Sequence, residues 1–181
     1  MTPVTSQRHR LRDTNGLPPR TENPVSVGIS SSGRVTTVAA RGIVTSDEVV
    51  SVIDQLLQDP ARVPGMPILV DARGVTGAPS SAELRHIARR LVPLVDRGLG
   101  PIVILTDSAF VYGVARMFGV FAQAVSATVV AFRSFQDADL WLNYDLPFGS
   151  EQYREPLREA IHGLVAPARR HAAESERRAE L

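Results

Sequence analysis

A few side chains in this sequence have the types and spacing that chemistry requires. Asp71 and Asp107 each follow a short, continuously apolar run, at 67–70 and 101–105. In a parallel α/β sheet, ligands collect at the carboxyl ends of the strands, so two acids there suggest a phosphoacceptor aspartate or a metal pair. A receiver-type phosphoacceptor site also needs an acidic pair after its first strand and a lysine after its last, and this chain contains no lysine. The plainer reading makes Asp107 a helix N-cap and Asp71 a turn-former. Ser80 and Ser81 stand where a helix is predicted to open. A serine there satisfies free backbone N–H groups, and a phosphoserine would place its charge where the helix dipole favours an anion. Tyr112 and Arg116 are spaced i, i+4 on one helix. They could hold the polar end of a ligand, or simply stack guanidinium on ring.

Absences narrow the field further. All twenty basic residues are arginine and there is no cysteine. Thiol nucleophiles, thiolate metal sites, disulfides, Schiff-base lysines and P-loop lysines are therefore excluded. No histidine pair has metal-ligand spacing, and neither a GxSxG elbow nor a Gly-rich phosphate loop is present. The expectation is a domain without catalytic residues, metal or cofactor. An enzyme built on Asp71, Asp107, Ser80 and Tyr112 is the remaining catalytic alternative, since triads are spatial rather than sequential.

These residues are positioned by a regular alternation of elements. Residues 25–29 and 35–40 read as a β-hairpin around Ser31-Ser32-Gly33. Thr45, followed by Asp47 and Glu48, opens a helix that ends at Asp59-Pro60. The runs 67–71 and 101–105 read as strands covered on both faces. Between them lies a helix from Ser80 with the stripe Leu84, Ile87, Ala88, Leu91 and Val95. Asp107 and Ser108 cap a helix to about Gln123, 127–132 is a last strand, and Ser134 caps a short helix. The predicted fold class is α/β, with a mixed, mostly parallel sheet and an antiparallel N-terminal hairpin. The order is β-β-α-β-α-β-α-β-α plus a C-terminal helix.

The chain of 181 residues is 44% hydrophobic, enough for one domain with tails. Residues 1–23, with Arg8, Arg10, Arg12 and Arg20, read as a disordered basic tail. The α/β domain is expected over 24–145, and 146–181 reads as a helical extension whose distal part is exposed or disordered. A net charge of +1 argues against a nucleic-acid binder. No apolar run approaches the roughly 18 residues of a membrane span, and the N-terminus lacks the apolar stretch of a secretory signal. A cytoplasmic location without membrane insertion is expected.

The helix from 108 to 123 is unusual. Phe110, Val114, Met117 and Phe121 line one face and Val111, Ala115, Phe118 and Ala122 the next, with Arg116 as its one charge. A helix apolar on most sides needs a cover. Three covers are considered: the helix predicted over 151–165, a second subunit in a homodimer, or an apolar small molecule or partner helix in a groove alongside.

Three segments suggest a relationship. The run from Val70 through Asp71, Pro79, Ser80, Ser81 and Ala82 to Leu84 resembles the STAS/SpoIIAA-like superfamily. Its anti-sigma-factor antagonists carry an Asp-Ser-Ser-Gly pattern between strand and helix, and its phosphorylated serine matches Ser80. Pro79 and Ala82 replace the pattern's aspartate and glycine. Phe110 to Phe118 (FVYGVARMF) and Val130 to Leu142 (VAFRSFQDADLWL) resemble an uncharacterised bacterial SpoIIAA-like branch. The resemblance implies a non-enzymatic regulatory or protein-interaction domain. A protein partner would meet it at the Ser80 helix start and the adjoining Arg85, Arg89 and Arg90, with Asp71 and Asp107 nearby. The alternative is an apolar ligand or lipid beside Phe110, Tyr112, Val114, Arg116, Met117 and Phe121.

Overall fold

A computed structural model describes residues 28–31, 34–147 and 149–164. The basic tail predicted over 1–23, the first residues of the predicted hairpin and the distal C-terminal extension lie outside the described residues.

The hairpin forms as β1 (Gly28–Ser31) antiparallel to β2 (Thr36–Ala39). A two-residue strand, β3 (Gly42–Ile43), leads into α1 (Ser46–Gln58). Then follow β4 (Ile68–Asp71), a short β5 (Val75–Gly77), α2 (Ser81–Arg90) and α3 (Val92–Asp96). The chain continues through β6 (Ile102–Leu105), α4 (Ala109–Gln123), β7 (Val129–Phe132) and α5 (Phe135–Tyr144). One 3-10 turn, Glu151–Tyr153, then opens α6 (Arg154–Gly163). The main sheet runs β1-β2-β4-β6-β7, with every pair after the hairpin parallel. The α/β class, the mixed sheet and the order of the major elements are those predicted.

Two details differ. The single helix expected from Ser80 to Val95 is split at Leu91. Pro93 explains the break: it has no N–H for the carbonyl four residues back, and its ring would collide with that carbonyl. In addition, β3 and β5 pair in parallel as a separate two-stranded ribbon. Gly42 and Gly74 enter it with φ of +71° and +84°, a conformation other residues rarely adopt.

Pleating sends successive strand residues to opposite faces. Leu69, Val103 and Leu105 face α5 and α6, where they join Trp141, Leu142, Leu157 and Ile161. Ile68, Val70, Ile102 and Ile104 face α1, α2, α3 and α4. The C-terminal helix is therefore one wall of a three-layer sandwich. It packs on α5 and β4 and does not provide the cover considered for α4. Gly119 sits at the point where α4 approaches β7. A Cβ there would lie 2.9 Å from the Val129 carbonyl oxygen, so only glycine allows this spacing.

Leu157 is fully buried under the sheet. Leu157→Ala should cost about 2–5 kcal/mol in urea unfolding. A loss below about 1 kcal/mol would show that α6 is not an integral layer.

Candidate functional site

The face of the sheet toward α1, α2 and α4 does not close. Its walls mix leucine and isoleucine with smaller side chains: Ala40 and Ala72 just after their strands, Ala115 on α4, and Val49 and Val52 on α1. Pleating aims Val38, Val70 and Ile104 at the same space. What remains is a cavity of about 180 Å³. Its effect is visible at Val70. This residue sits on the central strand, flanked by β2 and β6, yet it is only partly buried, whereas its neighbour Leu69 is 0% exposed. Val44, Ala78 and Pro79, beside the small ribbon, bring the loops into the wall, and Phe118 closes it from α4.

Two helix starts frame this space. Thr45 caps α1: its hydroxyl accepts from the Glu48 N–H at 3.3 Å, and Glu48 Oε2 accepts from the Thr45 N–H at 2.7 Å. Ser80 caps α2 in the same reciprocal way, with Glu83 Oε2 2.7 Å from the Ser80 nitrogen and 2.6 Å from its Oγ. Each box satisfies free backbone donors and sets a carboxylate against the positive end of a helix. The Ser80 hydroxyl and backbone bonds hold the Glu83 carboxyl below its ordinary pKa. Ser80 is exposed, and Ser81 is half-buried in the first turn.

Asp71 lies on the other side of the sheet. It is 2% exposed and bridges two arginines. Arg41 Nη2 donates to Oδ2 at 2.7 Å, while Arg73 donates through Nε to Oδ1 at 2.8 Å and through Nη2 to Oδ2 at 3.0 Å. The Arg73 backbone N–H also bonds Oδ1, the turn-forming role expected of this aspartate. Arg73 continues outward to the Leu164 carbonyl at 2.9 Å and lies over the Phe135 ring. Burial by itself would raise the Asp71 pKa. The hydrogen bonds from Arg73 and Arg41 outweigh it and leave the pKa lowered.

The remaining predicted residues are dispersed. Ser108, not Asp107, is the N-cap of α4, with its Oγ accepting from the Val111 N–H. Asp107 is exposed, and its carbonyl accepts from Arg133. Arg85 stacks over Phe121, joining α2 to α4, and Arg89 is exposed on the same side of α2. Val114 lines the cavity. Met117 is partly buried and packs on the core of that layer. Arg116 lies 5.9 Å above the Tyr112 ring, at a shallow groove between α4 and β7. Phe110 is 59% exposed and Val120 64%, so this outer side of α4 is open. No hydrogen bond joins any two of Asp71, Asp107, Ser80 and Tyr112, and the first of these is on the opposite face from the cavity.

Sequence reasoning singled out α4 but missed most of the cavity wall. The signal was the valine-rich first half of α1 opposite alanines at 40, 72 and 115. Among the described residues there is no group of three or more histidine or acidic side chains placed to hold a metal ion. No described helix is long and apolar enough to cross a membrane.

No protein-family model and no curated protein matches the chain. Among solved structures, it is similar to an uncharacterized protein of the DUF3478 family, described as having a SpoIIAA-like fold, from Shewanella loihica PV-4. The two share 16% identity over 64% of this chain and 91% of that one, with a TM-score of 0.42.

Asp71→Asn leaves two arginines facing a neutral amide, and should cost about 3 kcal/mol at pH 7. The ionised Asp71 contributes fully above the ordinary carboxylate pKa of about 4. That contribution disappears as pH falls through the lowered folded-state value. The gap between wild type and variant in urea unfolding should therefore hold above about pH 4, shrink below it, and close only once the pH has fallen under the lowered folded-state value. A constant gap across that range would remove Asp71 ionisation as its source.

Proposed function

We propose that this domain is a cytoplasmic, non-enzymatic binding module that takes a small apolar molecule into the cavity between the sheet and α1, α2 and α4. The observation that carries this reading is the incomplete burial of Val70 at the centre of the sheet, beside a space walled almost wholly by aliphatic side chains. The space, of about 180 Å³, leaves these aliphatic walls without close-packed partners on that side. A ligand that fills it supplies the dispersion attraction that the walls otherwise lack. Binding rather than catalysis is favoured because the candidate catalytic groups are each engaged in separate local interactions.

Benzene or xenon should raise the melting temperature of the purified chain. Ala115→Leu, which projects into the cavity, should stabilise the free protein by about 0.5–2 kcal/mol and abolish that response. A variant that is destabilised yet still responds to benzene would place the ligand elsewhere.

A second reading is supported by the outer side of α2, where Ser80, Arg85 and Arg89 are exposed. This is the surface that a protein partner of a regulatory, anti-sigma-antagonist-like domain would meet. A phosphoryl group on Ser80 would displace the Glu83 carboxylate, which now lies 2.6 Å from the hydroxyl. Ser80→Ala and Ser80→Asp should then differ in affinity for co-encoded anti-sigma or kinase-like proteins. Equal binding of both variants and wild type would end the switch reading.

A further inference from the structure

Within the cavity reading, on which this step rests, the walls also specify the ligand's chemistry. We infer that the site selects a compact, uncharged hydrocarbon-like or aromatic molecule and rejects anionic amphiphiles such as fatty acids. Three observations support this.

The first is size. At about 180 Å³ the space is slightly larger than the engineered cavity of about 150 Å³ that holds benzene. It suits a substituted ring or a short branched chain, and a long acyl chain would have to leave most of its length outside. The second is the absence of polar anchors. Of twenty-four lining residues, Glu48 alone has a polar side chain. A ligand carboxylate drawn into the cavity would lose its hydration without gaining a donor.

The third is the electrostatics of the rim. Helix N-termini are the natural receptors for anions in this architecture, and α1 and α2 both begin here. At both, a carboxylate of the chain itself already stands. Glu48 Oε2 takes the Thr45 N–H and hydroxyl at 2.7 and 2.8 Å, and Glu83 does the same at Ser80. Glu48 is itself part of the cavity wall. An incoming anionic headgroup meets a fixed negative charge where an empty helix start would have attracted it. A neutral ligand meets no such penalty.

Titration of the full chain with toluene and with phenylacetate, followed by NMR, separates the two cases. In wild type, phenylacetate should bind about tenfold or more weakly than toluene. Glu48→Gln keeps a capping-box side chain at the third helical position but removes its charge. In that variant phenylacetate should gain affinity relative to toluene, so that the gap narrows. Equal wild-type affinities, a gap indifferent to Glu48→Gln, or palmitate binding more tightly than toluene would each overturn the selectivity while leaving the cavity reading intact. Failure of toluene, phenylacetate and xenon alike to bind would overturn the cavity reading and this inference with it.

Discussion

Alternation along β4 governs the rest of this molecule. Leu69 and Val70 are adjacent in sequence, yet the pleat assigns them to different cores. Leu69 enters a layer built from leucines, isoleucine and a tryptophan, and it is covered completely. Val70 enters a layer in which valines and alanines are interspersed among the leucines and isoleucines, and its cover is incomplete. A sheet between unequal layers can be rigid on one side and receptive on the other, because the close-packed face holds the strands in register while the other keeps its space. The fold and the candidate site are two outcomes of a single period-two pattern.

The electrostatics are organised around the same sheet. Three carboxylates beside it have clear local tasks. Asp71 pairs with two arginines on one side of the sheet, and Glu48 and Glu83 complete caps on the other. The carboxyl end of a parallel sheet is where α/β proteins commonly hold charged ligands. Here much of that capacity is met internally, so the attraction left to the cavity is apolar contact and shape.

Much of the architecture was legible in the sequence because it is written locally. Thr45, Ser80, Ser108 and Ser134 each cap the helix that follows, as short-range patterns of hydroxyls and acids indicate. The buried strands were visible as continuous apolar runs. The break at Leu91 was also written locally, in Pro93, but a helical stripe running on to Val95 masked it. What could not be read depends on meetings between distant segments. Arg41 and Asp71 are thirty positions apart, and nothing local marks them as partners. The cavity is harder still, since its lining is drawn from eight elements, and no single residue carries it. The exposed side of α4 shows the same limit from the other direction: its apolar character was evident, but the helix expected as one of its covers serves the opposite face.

The bond from Arg73 to the Leu164 carbonyl spans 91 positions. During synthesis, Asp71 and both its arginines emerge well before that carbonyl does. The acid can recruit its cations early, but the outward arm of Arg73 stays open until the last described helix has left the ribosome. Closure of that face by α6 is thus a late event in the life of each chain, and until it comes Leu69 and Val103 have only α5 to cover them, which leaves that face open to misassociation.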